Sequence, residues 1–261
     1  MEVIIKRTPA EGCRLAARLA ATLIHRKPNA VLGLSAGKTP LPLYAELIRL
    51  HREEGLDFRQ VTTFNLDEYL GLGPNDPRSY HFHMRETLFK HINIPASQIH
   101  IPDGLTRDVP RACKEYDEAI LAAGGIDLQI LGIGRDGHIG FNEPTSSLSS
   151  HTRIKTLTQE TIHANNRSFP SHNEMPLHVI TMGVGTIREA GCCILLAFGE
   201  AKARAVSKMV EGPITALVPA SILQLHPHAI AIFDKAASRR LSLTPYYQHA
   251  YKNKPSWQRY E

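Results

Sequence analysis

Short apolar runs alternate along this chain with stretches of helical periodicity, and that order limits the folds it can adopt. The runs cover residues 3–6, 30–35, 61–66, 126–134, 177–184, 192–199 and 229–234. Most have apolar residues at successive positions, which is typical of strands buried on both faces of a parallel sheet. Alternating strands and helices predict a doubly wound α/β fold, with a mostly parallel sheet and helices on both of its faces.

The starts of the helices carry their own signals. Thr8 can cap a first helix, and Glu11, three residues later, would complete a capping box. A second helix is predicted after Thr39 as its cap, with Pro40 at the first helical position. Two further helical patterns cover residues 111–125 and 200–212. The polar residues 142–176 lack a strong period, and we expect this long excursion to act as a lid.

Composition narrows the class of protein. The chain has 261 residues, of which 43% are hydrophobic, so we expect a single domain over residues 1–261. A net charge of +5 suits an anionic ligand, whereas the lack of a Lys/Arg run argues against a nucleic-acid partner. No apolar run has the length of a membrane span, and the first residues, MEVIIKRTPAEG, lack the long apolar core expected of a signal peptide. Since the four cysteines lack metal-ligand spacing, we expect reduced thiols and a cytoplasmic protein.

A glycine-containing turn joins the second predicted strand to the second helix. Residues 33–39, GLSAGKT, are close to a nucleotide-binding P-loop, but only three residues separate the first glycine from Gly37 where a P-loop has four. Free amides at the start of a helix bind anions, so we expect a monophosphate site here. A plain strand–turn–helix junction is the alternative. The cations that could join such a site are Lys38, Arg167 and Lys202.

Two adjacent carboxylates, Asp67 and Glu68, follow the third predicted strand. Neighbouring residues on an extended chain point in opposite directions. One carboxylate can therefore face a pocket at the end of the sheet while the other contacts the structure around it. A turn or a helix cap is the alternative for this acidic pair.

The sequence LGIGRDGHIGFNEP, residues 131–144, places a histidine between acids on a glycine-rich turn. His138 can take and give a proton near neutral pH, and a carboxylate beside it fixes its tautomer and raises its basicity. Asp136 and Glu143 are placed to supply that carboxylate. The alternatives are a surface histidine among unrelated acids, and a metal site formed by the three side chains, which no paired His or Cys supports.

Eight segments match the motifs of one enzyme family in the family's order. They are LGLSAGKTP (32–40), TFNLDEYLGL (63–72), SYHFHM (79–84), LGIGRDGHIGFNEP (131–144), SSLSSHTRIKTLT (146–158), ANNRSF (164–169), MGVGTI (182–187) and LQLHPHAI (223–230). The chain thereby resembles the glucosamine-6-phosphate deaminase (isomerising) family. This resemblance implies a Rossmann-like fold and conversion of glucosamine 6-phosphate to fructose 6-phosphate and ammonia in amino sugar catabolism. It implies no organic cofactor and no catalytic metal. Galactosamine-6-phosphate deaminase and 6-phosphogluconolactonase, on the same fold, are the alternatives.

The resemblance also implies roles for single residues. Asp67 matches the base that transfers a proton, His138 matches the group that opens the sugar ring, and Asp136 and Glu143 match the acids that assist it. The residues that match the phosphate site are Ser35, Ala36, Gly37, Lys38, Thr39, Arg167 and Lys202.

Regulation and assembly enter by the same resemblance. Bacterial members are often homo-oligomers, hexamers among them, and some are activated by N-acetylglucosamine 6-phosphate. The residues that match the effector site are Ser146, Arg153, Lys155 and Thr156. The chain departs from the family at Ala36, where a Thr is usual, at Lys38, where Gly or Ser is usual, and at His151, where an Arg is common.

Overall fold

The computed structural model describes residues 1–159, 161–162 and 175–260. The strands are β1 (Glu2–Lys6), β2 (Val31–Leu34), β3 (Thr62–Asn65), β4 (Asp67–Tyr69), β5 (Ile99–His100), β6 (Leu128–Leu131), β7 (Arg153–Thr156), β8 (His178–Thr181), β9 (Cys192–Ala197) and β10 (Ala229–Asp234). Seven of them form a main sheet in the order β1-β10-β9-β6-β2-β3-β5. Every pairing in this main sheet is parallel. The other three form a small antiparallel sheet in the order β4-β8-β7.

Helices cover both faces of the main sheet. They are α1 (Pro9–Arg26), α2 (Leu41–Glu54), α3 (Tyr80–Thr87), α4 (Val109–Ala122), α5 (Val184–Arg188), α6 (Ala203–Glu211) and α7 (Thr244–Lys252). Short 3-10 turns lie at Phe89–His91, Ala96–Gln98, Glu200–Lys202, Pro219–Leu225 and Ser256–Gln258. Among the described residues, no helix combines the length and the hydrophobicity that crossing a membrane requires.

Alternation of side chains along the strands builds two cores. In β9, Ile194 and Leu196 pack into the cluster that holds the buried faces of α1 and α2. Cys193 and Leu195, on the opposite face of the same strand, pack with residues of α4, α5 and α6. Successive strand residues point to opposite faces, so a strand buried on both sides needs a continuous apolar run. The predicted doubly wound α/β fold is confirmed, and the single domain over residues 1–261 stays a prediction.

The start of α1 agrees with the sequence in one of its two expected contacts. Thr8 is the N-cap, and its side chain accepts a hydrogen bond from the N–H of Glu11 at 3.2 Å. The carboxylate of Glu11 reaches the N–H of Arg7 at 3.1 Å instead of the N–H of Thr8. The cap is therefore confirmed, whereas the reciprocal contact of a capping box goes to the residue before it.

The prediction that Thr39 caps α2 is wrong. Pro40 occupies the N-cap with α-helical φ and ψ, and no side chain caps this end. The N–H of Leu41 instead closes a turn on the carbonyl of Lys38 at 3.4 Å. That extra turn starts the helix at Leu41, one residue later than expected.

Two other segments differ from the sequence expectations. The apolar run at 177–184 contains β8, which pairs antiparallel in the small sheet rather than in the main one. The excursion at 142–176 contains β7, whose alternating burial is that of an edge strand with one exposed face. The proposed lid includes residues 163–174, which lie outside the described residues, so its role stays a prediction.

Candidate active site

A cavity of about 630 Å³ opens at the carboxyl ends of β2 and β6. From β2 the chain goes to β3 on one side, and it later returns to β6 on the other side. The loops after β2 and β6 therefore diverge and leave a crevice, which is where open α/β sheets bind ligands. Residues 35–40 and 132–136 from these two loops line the cavity.

The loop after β2 presents free backbone amides to this cavity. Within the described part of the chain, no hydrogen bond engages the N–H groups of Ala36, Gly37, Lys38 or Thr39. The N–H of Ser35, by contrast, donates to the hydroxyl of Tyr44 at 3.2 Å. Consecutive free amides make an anion-binding concavity.

The helix tip contributes less to an anion site than the sequence led us to expect. Pro40 and Pro42 have no N–H, and the N–H of Leu41 is already bonded to Lys38. The amides of residues 36–39, which precede α2, are therefore the backbone groups of this segment that can hold an anion. The hydroxyl of Ser35, which lines the cavity and has no hydrogen-bond partner among the described residues, can join them.

Asp67 begins β4 and lines the cavity with only 6% of its surface exposed. Burial and the negative charge of Glu68 raise the pKa of Asp67 to about 8, and His138 opposes them. A carboxyl group with such a pKa can both accept and return a proton near neutral pH. Gly140, on the turn beside Asp67, has φ of 56°, and a Cβ there would lie 2.9 Å from Oγ1 of Thr181, so this position requires glycine.

Glu68 points away from the cavity and holds the start of α3. Its carboxylate accepts hydrogen bonds from the N–H groups of Tyr80 and His81, at 2.9 and 2.8 Å, and from the N–H of Tyr69 at 2.8 Å. The expectation that one carboxylate faces a pocket and the other faces structure is confirmed. The negative charge also lies at the positive end of a helix dipole, where it is stabilised.

His138 is held between two carboxylates. Its Nδ1 lies 2.8 Å from Oδ1 of Asp136 and 3.4 Å from Oε2 of Glu143. The N–H direction at Nδ1 is not well aligned with either oxygen. Burial lowers the pKa of His138, but the two carboxylates outweigh it and raise the pKa to about 9. Burial also acts against the charge of Asp136, yet His138 holds the pKa of that carboxyl well below its usual range.

Threonines that the sequence did not single out orient Glu143. The hydroxyl of Thr161 donates to Oε1 of Glu143 at 2.5 Å, and the hydroxyl of Thr158 donates to it at 3.3 Å. Glu143 is itself only 3% exposed and lies behind His138. No local sequence signal marks Thr161, because its role arises from a contact that the fold creates.

Asp136, His138 and Glu143 also meet the distance requirement for a metal site, since their ligand atoms lie within 4.8 Å of one another. Metal ligation needs a deprotonated imidazole. Because the pKa of His138 is raised to about 9, the imidazolium is the main form at neutral pH. A metal ion would have to displace that proton in order to bind the imidazole.

Two of the three basic residues that the sequence analysis proposed for the anion site line the cavity. These are Lys38 and Lys202. The ammonium of Lys202 donates to the carbonyl of Ile133 at 2.6 Å, which fixes it beside the turn after β6. Arg167 lies outside the described residues. Arg135 also lines the cavity, although no sequence pattern singled it out as a ligand for an anion.

The four residues matched to an effector site do not line this cavity among the described residues. Ser146 is buried on the loop that follows Glu143. Arg153, Lys155 and Thr156 lie on β7. Arg153 and Lys155 share one face of that strand, because residues two apart point the same way.

The fold and the cavity together define a class: a doubly wound α/β protein with an acid–base site at the switch point of its sheet. A sequence model of the family described as glucosamine-6-phosphate isomerases/6-phosphogluconolactonase matches residues 7–232. The chain belongs to this family, and the resemblance read from the sequence is confirmed.

Individual relatives distinguish between the branches of the family. A glucosamine-6-phosphate deaminase of Arthrobacter sp. (strain FB24) is 50% identical to this chain over 258 residues, which cover 99% of each protein. A solved structure described as a monomeric glucosamine-6-phosphate deaminase is 44% identical, with a TM-score of 0.90 over 92% of this chain and 100% of that chain. A solved 6-phosphogluconolactonase from Trypanosoma cruzi is 20% identical, with a TM-score of 0.74 over 92% of this chain and 97% of that chain, and shares the fold alone.

Proposed function

We propose that this chain is an enzyme that converts glucosamine 6-phosphate and water into fructose 6-phosphate and ammonia. The observation that carries the proposal is the position of Asp67, a buried carboxyl group with a pKa near 8 in the same cavity as His138. The relatives at 44% and 50% identity are named as enzymes of this activity.

The first step opens the sugar ring. The imidazolium of His138, held by Asp136 and Glu143, donates a proton to the ring oxygen and then takes one from the C1 hydroxyl. The C1–O5 bond breaks, and the open chain carries an aldehyde at C1. Both carboxylates stabilise the charged imidazole, so the proton can return to it.

The second step moves a proton between carbons. The carboxylate of Asp67 takes the proton from C2 while the ammonium group of the substrate passes a proton to the C1 oxygen. Asp67 then returns its proton to C1, which leaves a protonated C=N bond at C2. Water adds to that carbon, ammonia leaves, and the ketone of fructose 6-phosphate remains. Lys202 and the amides of residues 36–39 hold the phosphate, and this orients C1 and C2 at Asp67.

Asp67 also separates the proposed reaction from lactone hydrolysis. Opening 6-phosphogluconolactone requires activated water but no proton transfer from C2, so a buried carboxyl group poised near pH 8 has no evident task in it. A deaminase for galactosamine 6-phosphate would use Asp67 in the same way, because the two sugars differ only at C4.

A direct assay tests the three activities together. Ammonia release is measured with glucosamine 6-phosphate and with galactosamine 6-phosphate, and hydrolysis is measured with 6-phosphogluconolactone. We expect the highest kcat/KM with glucosamine 6-phosphate. A higher kcat/KM with either of the other two substrates would replace the proposal by that activity.

Assembly, regulation and location are further parts of the proposal. The family resemblance favours a homo-oligomer, such as the hexamer that some members form, and activation by N-acetylglucosamine 6-phosphate. The 44% identical relative, by contrast, is described as monomeric. Sedimentation with and without the N-acetylated sugar phosphate distinguishes these states. A cytoplasmic location agrees with the four free cysteines.

A further inference from the structure

Arg135 is an exposed cation that lines the cavity, and neither the sequence analysis nor the proposed mechanism gives it a role. It lies between Gly134 and Asp136 on the turn after β6, and it lines the same cavity as Lys202. We propose that Arg135 binds the phosphate group of the substrate and thereby sets the preference for phosphorylated sugars. This inference rests on the proposed function.

The backbone around Arg135 is fixed. The N–H of Gly134 donates to the carbonyl of His138 at 2.9 Å, and the N–H of Gly137 donates to the carbonyl of Gly134 at 3.2 Å. The carbonyl of Gly137 in turn accepts from the N–H of Ala220 at 3.0 Å. The side chain of Arg135 therefore starts from a rigid turn, which reduces the entropy lost when it binds an anion.

The guanidinium itself is uncommitted. Over residues 1–159, 161–162 and 175–260, no carboxylate lies within salt-bridge distance of Arg135 and no hydrogen bond engages its side chain. Its neighbour Asp136 is turned to His138 instead. Other arginines of the chain, such as Arg49 and Arg78, are paired with acids. A guanidinium without a partner in a cavity can form a two-point contact with a phosphate.

The charges of the substrate determine which of its two ends lies beside Arg135. The phosphate is the only anionic group of glucosamine 6-phosphate, and its amino group would be repelled by a cation. The ammonium of Lys202 donates to the carbonyl of Ile133, two residues before Arg135. The charge of Lys202 therefore lies at the start of the turn that carries Arg135. The acids Asp67 and Asp136 line the cavity as well and suit the end with the amino group and ring oxygen.

The test compares Arg135→Ala and Arg135→Lys with Arg240→Ala. Arg240 is an exposed arginine that does not line the cavity, so its removal controls for the change in net charge. We expect Arg135→Ala to raise KM for glucosamine 6-phosphate about tenfold with little change in kcat, because a hydrogen bond to a charged group is lost. Arg135→Lys should fall in between, since it keeps the charge without the two-point contact.

Two further measurements exclude a merely structural role. The Kd of inorganic phosphate, measured by calorimetry, should rise by a similar factor in Arg135→Ala. The kcat/KM for unphosphorylated glucosamine should stay within twofold of the unsubstituted protein. A KM and a phosphate Kd within twofold of those of Arg240→Ala would overturn the inference, as would an equal loss of kcat/KM on glucosamine.

The phosphate measurement keeps this inference separate from the proposed function. If the unsubstituted protein releases no ammonia from either amino sugar phosphate, the proposed function fails. The Kd of inorganic phosphate for Arg135→Ala then still decides whether Arg135 binds phosphate.

Discussion

At the scale of single residues, we expect Asp67 and His138 to set the pH range of the proposed reaction. The base form of Asp67 grows as pH rises through its pKa of about 8, and the acid form of His138 is lost as pH rises through about 9. We therefore expect a bell-shaped profile of kcat/KM with limbs near these two values, measured by ammonia release from pH 5 to 11. An acid limb near pH 4 would show that Asp67 is not the base.

Replacing Asp67 by Asn tests the proton transfer itself. The amide keeps the size of the side chain but cannot accept the C2 proton. We expect kcat to fall by about 10²–10⁴ with KM nearly unchanged, as is typical of lost general-base catalysis. Asp103→Asn, at an exposed carboxylate, is the control and should retain full kcat. A kcat for Asp67→Asn close to that of the control contradicts the assigned role.

Thr145 lies two residues after Glu143 and tests whether the backbone at this turn is strained. It has φ of 75°, the one positive φ of a non-glycine residue among those described, and its N–H donates to the carbonyl of Ala216 at 2.7 Å. A β-branched residue in this region costs about 1–3 kcal/mol. Glycine removes that cost but adds about 0.5–1 kcal/mol of backbone entropy.

The balance predicts a more stable Thr145→Gly variant. We expect a gain of about 1 kcal/mol, which raises Tm by about 2–4 °C. Thr145→Ala keeps a Cβ and should gain less than Thr145→Gly. Equal melting temperatures for all three proteins in a thermal melt would mean that the turn is not strained.

At the scale of elements, Glu68 connects the stability of α3 to the acidity of Asp67. Its carboxylate caps α3 and also raises the pKa of Asp67. Glu68→Gln removes that charge, so we expect a loss of about 1–3 kcal/mol in unfolding free energy. The acid limb of kcat/KM should also move to lower pH, because like-charge repulsion no longer favours the protonated form of Asp67.

Denaturation in urea and the pH profile together measure both effects. Glu115→Gln is a suitable control, because that carboxylate is exposed and pairs with Arg111 across one turn of α4. If Glu68→Gln leaves the acid limb where it is, the charge of Glu68 does not act on Asp67.

Elements with continuous apolar runs could be predicted from the sequence, and elements defined by distant contacts could not. The central strands β2, β6 and β9 fall inside predicted runs because burial on both faces demands apolar residues at every position. The four residues of β7 alternate in burial and pair with β8 from about 25 positions along the chain, so no local pattern marked them.

The same distinction holds within the candidate site. Asp67, Asp136 and His138 could be selected because acids and histidine after buried strands are unusual in themselves. Arg135 and Thr161 belong to residue types that are common on surfaces. Arg135 lies inside the motif at 131–144, but its residue type did not distinguish it from a surface charge. Thr161 lies outside that motif, and only the fold brings it to Glu143.

At the scale of the whole molecule, ligand binding and unfolding are coupled. The cavity is lined by residues that follow β2, β3, β6 and β9. A ligand that fills it would therefore contact loops after four of the seven strands of the main sheet. A ligand that binds only the folded state stabilises it by about 2.7 kcal/mol at 100 times its Kd. We expect inorganic phosphate at that level to raise Tm by several degrees.

Lys202→Ala shows whether this stabilisation comes from the proposed anion site. Loss of the ammonium should raise the Kd of phosphate, so the same phosphate concentration should give a smaller rise in Tm. Lys235→Ala, at an exposed lysine outside the cavity, should respond like the unsubstituted protein. An equal rise in Lys202→Ala would place the stabilising phosphate elsewhere.

The crevice between the loops after β2 and β6 is a product of the path of the chain and not of the side chains that line it. A variant in which Asp67, His138 and Lys202 are replaced by smaller residues should therefore keep this crevice. Such an inactive variant would be a suitable scaffold for the design of an enzyme with a different activity.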